Sequence, residues 1–181
     1  MRLCCRGGIL AVIALLAAAP AVAQTTIMLP DTSQTTTLSV DVSEQARITV
    51  PAGIAFGVTN VNAPTAANPA TVTIDSIVLS SATRQLRLSL QANAGSFTPP
   101  APGDATWAAG DVSWNAASWT AAAGTAGTLT NAAYGTVATC DAGATACSTT
   151  TLTFTLGPKP AVQRAGAHTL VVTWKVEGIG F

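Results

Sequence analysis

The sequence predicts an all-β protein built as a single antiparallel β-sandwich. Apolar and polar residues alternate through most of the chain after residue 34, as in strands with one buried face. Turn-forming clusters of Pro, Gly and Asn, such as those at 99–103 and 157–160, separate the alternating runs. The Ala-rich stretch 119–126 contains Gly124 and has no apolar stripe at helical spacing, so we expect loop or irregular strand there.

The first 23 residues have the organisation of a cleavable signal peptide. Arg2 and Arg6 precede an apolar run over 9–19, and Ala-Val-Ala at 21–23 is a small-x-small cleavage site. The run is shorter than the roughly 20 residues that span a bilayer, so no membrane span is expected after cleavage. We therefore expect an exported protein of the periplasm, cell surface or medium. The predicted parts are 1–23, signal peptide; 24–34, flexible lead-in; and 35–181, the β-sandwich domain.

The alternating runs predict the strands in chain order. Between Ile74 and Ile77 the apolar parity changes, which indicates a β-bulge, or a change of sheet, at Asp75 and Ser76. Apolar positions that alternate with polar ones are Leu38, Val40 and Val42; Ala46, Ile48 and Val50; Ile54, Phe56 and Val58; Val72, Ile74, Ile77 and Leu79; Leu86, Leu88 and Leu90; and Leu152, Phe154 and Leu156.

The last run, close to the C-terminus, has the most regular alternation in the chain. A one-residue slip would move its whole apolar set to the other face, so the register is well specified. The inward positions are His168, Leu170, Val172, Trp174 and Val176; the outward ones are Thr169, Val171, Thr173, Lys175 and Glu177.

Two cysteines lie outside the predicted leader, Cys140 and Cys147. In an oxidising compartment an isolated close pair predicts a disulfide, because the intervening residues are small and closure is easy. A redox pair usually has two residues between its cysteines, and a zinc site needs further ligands. The single histidine, His168, is distant in sequence. We therefore predict a structural disulfide and no metal.

Composition argues against several classes of function. Only 9% of the chain is charged, with eight basic and eight acidic residues, so the basic surface of a nucleic-acid binder is not expected. Sequence motifs for a nucleophile elbow, a phosphate loop, a zinc protease or a calcium loop do not occur. His168 has the parity of a core-edge residue, and the aspartates are scattered. The sequence predicts no catalytic residue, no cofactor and a non-enzymatic protein.

Three of the four tryptophans, Trp107, Trp114 and Trp119, lie within thirteen residues. A turn after Trp114 would place Trp114 and Trp119 on facing strands as an aromatic pair. These side chains either fill the core or form an exposed platform for stacking sugar rings. In the second alternative Asp111 and Asn115 would hydrogen-bond sugar hydroxyls. The sequence favours core packing and leaves polysaccharide binding as the alternative.

Two motifs carry a family resemblance. ARITVPAGIAFGV at 46–58, with Phe56-Gly57, and AGAHTLVVTWKV at 165–176 resemble the early and last strands of exported bacterial sandwich proteins. These are the secreted pilin and spore-coat-U-like proteins. The resemblance implies an immunoglobulin-like sandwich with a structural role.

The sequence therefore predicts an exported structural or interaction protein of the bacterial envelope or surface, such as a fibre or coat subunit or an adhesin-like module. Its partners would be further copies of itself or other envelope proteins. Assembly would need an incomplete sandwich, with a groove or bare edge filled by another chain's strand, for which residues 24–34 are a candidate. The alternative function is a carbohydrate-binding module that uses the tryptophan cluster.

Overall fold

A computed structural model describes residues 36–180 of the chain. Asp41–Phe181 form one compact unit, and the described residues before it belong to a separate unit. The described part is all-β, with no α-helix and one 3-10 turn at Ala109–Asp111, so it contains no helix that would cross a membrane. The strands are β1 Gln45–Thr49, β2 Thr65–Ala66, β3 Ala70–Val78, β4 Gln85–Ala92, β5 Val112–Trp114, β6 Ala122–Gly124, β7 Gly127–Thr128, β8 Gly135–Cys140, β9 Cys147–Leu152, β10 Phe154–Leu156 and β11 Val172–Ile179.

The strands form three sheets in which every described pairing is antiparallel. One sheet has the order β1-β3-β9, the second β2-β10-β5-β7 and the third β11-β4-β8-β6. The longest ladder joins β11 to β4, from Val172 opposite Ala92 to Ile179 opposite Gln85. The prediction of an all-β antiparallel protein is therefore confirmed.

The core lies between the sheets, as in a β-sandwich. In β3 and β4 the residues that the alternation assigned to the inner face are buried, and Val72, Ile74 and Leu88 have no exposed surface. Val137 of β8 and Leu152 of β9 complete the centre, both also fully buried. Each such side chain contributes about 1.5–3 kcal/mol by leaving water, so this centre supplies much of the stabilisation of the fold.

The predicted bulge is present in β3. Gln45 pairs with Val78, but Arg47 pairs with Asp75, so β3 has one residue more than β1 over this interval. Ser76 takes the left-handed backbone conformation, with φ of 55°. The bulge keeps Ile77 buried after Ile74 although the two positions differ in parity.

Cys140 and Cys147 are joined by a disulfide, as predicted, with their Cα atoms 5.9 Å apart. Cys140 ends β8 and Cys147 begins β9, and each cysteine is 2% exposed. β8 lies in one sheet and β9 in another. The bond therefore connects two sheets across a short loop.

The chain after Gly166 has the predicted parity. His168, Leu170, Val172 and Trp174 are partly buried, and the residues between them are exposed. Regular pairing with β4 starts only at Val172. Before that point, Thr169 forms an isolated bridge with Thr98.

The prediction of a strand over Leu38, Val40 and Val42 is wrong. These residues have no strand partner among the described residues, and their side chains are 90%, 87% and 71% exposed. The three residues do alternate with polar ones, yet their side chains stay exposed. The predicted signal peptide and the lead-in at 24–34 lie outside the described residues.

Candidate functional site

An apolar groove of about 820 Å³ is a prominent concave feature of the described residues. Two segments of the chain contribute to its lining, residues 50–58 except Gly57 and residues 166–172. We call these the first wall and the second wall. The remaining lining residues are Leu90, Phe97, Trp107, Val112, Leu129, Phe154, Leu156 and Trp174.

The first wall is an extended segment whose described backbone is not paired. Ile54, Phe56 and Val58 are partly buried, and Ala55 and Gly57 between them are exposed, as in a strand with one face on a core. Residues 51–58 nevertheless form no backbone–backbone hydrogen bond with other described residues. Pro51, which follows β1, contributes to this because it has no N–H to continue the ladder. The prediction of a half-buried segment is confirmed, but the expected ladder is missing.

The second wall leads into β11, the edge strand of its sheet. Thr169 exchanges backbone hydrogen bonds with Thr98, at N–O distances of 2.7 and 3.1 Å, and Asn93 N–H donates to Val171 O at 2.9 Å. From Val172 onward β11 pairs with β4, and it has no second strand neighbour among residues 36–180. An unpaired extended segment and the edge strand of a sheet therefore both contribute to the lining of the groove.

His168 attaches the second wall to the loop before the 3-10 turn. Its Nδ1 lies 2.8 Å from Thr106 Oγ1. Its ring lies at 87° to the Trp107 indole, with the ring centroids 5.1 Å apart. Nε2 is buried and has no hydrogen-bond partner among the described residues. The His168 side chain therefore lies at the edge of the core, as its parity predicted.

Two of the three clustered tryptophans are core residues. Trp107 and Trp114 are each 4% exposed, and their indole N–H groups donate to Gly157 O and Thr125 O, both at 2.9 Å. Trp119 is partly buried, and its indole N–H has no partner in the described part of the chain. A sugar platform requires exposed ring faces, which Trp107 and Trp114 do not offer.

The expected pairing of Trp114 with Trp119 is wrong. Trp114 stands opposite Phe154 of β10 on one side and Gly127 of β7 on the other. Trp119 lies outside the strands. Glycine at 127 leaves the space that the Trp114 ring occupies, since a Cβ there would overlap the ring.

Asp111 and Asn115, the polar residues proposed to bind sugar, have structural partners. Asp111 Oδ2 accepts from Ala108 N–H at 2.8 Å and from Lys159 Nζ at 3.0 Å. Asn115 donates to Thr151 O at 3.1 Å and accepts from Thr153 N–H at 2.8 Å, where the chain passes from β9 to β10. Both side chains therefore already take part in hydrogen bonds within the described fold.

Five of the seven described carboxylates pair with basic side chains, and the described residues form no cluster suited to a metal ion. Hydrogen bonds from Arg47 lower the pKa of Asp75, and hydrogen bonds from Lys175 and then Arg87 lower the pKa of Glu177. The ion pairs are Arg47–Asp75, Arg84–Glu44, Arg87–Glu177, Lys175–Glu177, Lys159–Asp111 and Arg164–Asp104.

No family model matches the chain, and neither a curated protein nor a solved structure is similar to it.

The groove is the feature that sequence reasoning did not locate. Both of its walls were recognised as alternating segments, but alternation reports which face is buried and not whether a strand has neighbours. The strongest available signal was Pro51 followed by Gly53 and Gly57, which weakens the expectation of regular pairing through the first wall.

Proposed function

We propose that the protein is an exported, non-enzymatic structural subunit of the bacterial envelope or surface. Its domain would be an immunoglobulin-like sandwich that lacks one strand, and copies would associate when a strand of one copy enters the groove of the next. The observation that carries the proposal is the apolar groove that an unpaired extended segment and the edge strand of a sheet both line.

Backbone chemistry favours a strand as the occupant. Residues 51–58 of the first wall form no described backbone–backbone hydrogen bond, and β11 has a strand neighbour on one side only among residues 36–180. Burying backbone groups that lack hydrogen bonds is unfavourable. An apolar ligand would cover these groups without supplying hydrogen-bond partners. An inserted strand supplies donors and acceptors along both of its edges and adds to the sheet.

The same chain carries a segment of matching chemistry. Leu38, Val40 and Val42 alternate with polar residues, and all three are among the most exposed large apolar side chains described. Burying them would contribute about 1.5–3 kcal/mol each. We therefore take the occupant to be residues 37–43 of a second copy, closer to β1 than the segment 24–34 expected from sequence.

Export is supported by two independent features. Residues 1–23 have the signal-peptide pattern. Cys140 and Cys147 form an intramolecular disulfide, the bond expected in an oxidising compartment. The resemblance of 46–58 and 165–176 to pilin and spore-coat-U-like strands supports the structural role.

The test is self-association measured by light scattering during size-exclusion chromatography. We expect the protein purified after export to form oligomers whose mass rises with concentration. Val40→Asp should abolish them, because a charge would enter an apolar groove. Ser39→Asp is the matched control, since its side chain would point away from the groove, and it should associate as the parent does.

Two outcomes would contradict the proposal. A parent protein that stays monomeric at high concentration would remove self-association. Equal association by Val40→Asp and Ser39→Asp would show that the apolar parity of 37–43 plays no part.

A further inference from the structure

The groove contains a single ionisable side chain. Of the described residues that line it, His168 alone can change charge, and the others are apolar residues, glycines and Thr169. Histidine is the side chain that titrates most readily between pH 5 and 8. A protonated His168 would therefore be the only charged side chain among the described residues that line the groove.

The second wall is held by backbone hydrogen bonds at Thr169 and Val171, and the side chain of His168 adds contacts of its own. The imidazole bridges to Thr106 through Nδ1 and packs edge-on against Trp107, at 2.8 and 5.1 Å respectively. Trp107 is itself fixed, because it is 4% exposed and its N–H donates to Gly157 O. The neutral ring thus holds the second wall against a rigid part of the core.

Protonation would make this arrangement unfavourable. The charged ring carries an N–H on both nitrogens, and buried Nε2 has no acceptor among the described residues. A charged ring whose buried Nε2–H has no acceptor is unfavourable, so the ring would leave its position to reach water.

The neighbouring charges are already engaged. On the loop packed against His168, Asp104 Oδ2 lies 3.0 Å from Arg164 Nε, an ion-pair distance without hydrogen-bond geometry. Near the Gly157 contact of Trp107, Asp111 is paired with Lys159 at 3.0 Å. The first wall has no titratable residue at all, since 50–58 reads VPAGIAFGV. No unpaired carboxylate of these elements faces the ring.

We infer that His168 is a pH-sensitive latch on the groove. Neutral His168 keeps the second wall in place, so that the groove accepts a strand. Protonated His168 releases its part of the wall from Thr106 and Trp107, and a charged ring in the lining makes the groove unsuitable for an apolar strand. The latch is a property of a single copy, whereas its effect on assembly rests on the proposed function.

The latch is tested first on dilute monomer. We compare urea unfolding of the parent and of His168→Gln at about pH 7.5 and about pH 5. If the charged ring loses its contacts with Thr106 and Trp107, acidification should destabilise the parent more than His168→Gln. We therefore expect a larger rise in the unfolding equilibrium constant for the parent than for the variant. Equal pH dependence of the two proteins would overturn the latch.

A second readout does not depend on the variant folding. The chain has one histidine, so its ring signals in an NMR titration are unambiguous. The indole N–H signal of Trp107 should shift together with protonation of His168, while that of Trp114 should not. A titration of His168 that leaves Trp107 unchanged would contradict release of the wall.

Self-association is then measured at both pH values. Association of the parent that is lost at about pH 5, but kept by His168→Gln, supports control of the groove by the latch. Equal association at both pH values overturns it. Absence of association at either pH counts against the proposed function alone, since the monomer measurements stand without it.

Discussion

The two ends of the core differ in how completely their strands are paired. Around Ile74 of β3, strands lie on both sides and the side chain has no exposed surface. Around Ile54 of the first wall, residues of the same apolar character remain partly exposed beside the groove. One region of the core is therefore closed by paired strands, whereas another leaves apolar surface partly exposed beside the groove.

The largest expected effect comes from the same substitution made at both ends. Ile74→Ala should lower the free energy of unfolding by about 2–5 kcal/mol, because it opens a cavity in a closed core. Ile54→Ala should cost the monomer much less, since its side chain already borders open space. Urea unfolding measures both, and equal losses would refute the contrast between the two ends.

Removing the disulfide should be next in size. Cys140→Ser together with Cys147→Ser frees a short loop at the closed end of the core, at a cost of about 2.5 kcal/mol. At high protein concentration the double variant should still self-associate, because neither cysteine lines the groove. Thermal unfolding measures the stability change, and loss of association in a folded variant would show that the two ends are coupled.

Substitutions of two glycines, Gly127 and Gly53, test how tightly the chain is packed in the two regions. Gly127→Ala would bring a Cβ into the ring of Trp114, so we expect a loss of about 1–3 kcal/mol from overpacking. Gly53→Ala in the first wall meets no atom within 4 Å, so little change is expected. Similar unfolding midpoints in urea for the two variants would contradict the assigned packing of Trp114.

The smallest effect concerns the exposed ion pair of the bulge. Hydrogen bonds from Arg47 and then Ser76 lower the pKa of Asp75 from its ordinary value of 3.8. The carboxylate therefore stabilises the fold above that value, and the contribution disappears as the pH falls through the lowered pKa of the folded state. Asp75→Asn should flatten the acid limb of the stability profile slightly. An unchanged acid limb would show that this pair contributes nothing.

The sequence predicted the parts of the fold that depend on which face is buried. Alternation identified β3, β4 and the last strand with the correct inner residues, and the parity change at Asp75 and Ser76 located the bulge. The spacing of Cys140 and Cys147 was enough for the disulfide. Each of these signals lies within a short stretch of the chain, so neighbouring residues are enough to predict the feature.

What the sequence could not predict depends on neighbours distant in the chain. Trp114 pairs with Phe154, forty positions away, and not with nearby Trp119. The exposed run at Leu38 and the half-buried run at Ile48 look alike as patterns, yet only the second meets a strand. The groove arises for the same reason, because alternation does not reveal that a strand lacks a neighbour.

The most direct test of the account is hydrogen exchange of the backbone amides of residues 52–58 in the first wall, in dilute and in concentrated protein. These amides have no described backbone acceptors, so we expect fast exchange in the monomer and strong protection on association. Val40→Asp should keep them unprotected at every concentration, whereas Ser39→Asp should not. Slow exchange in the monomer, or association that leaves residues 52–58 unprotected, would contradict the claim that a second copy's strand fills the groove.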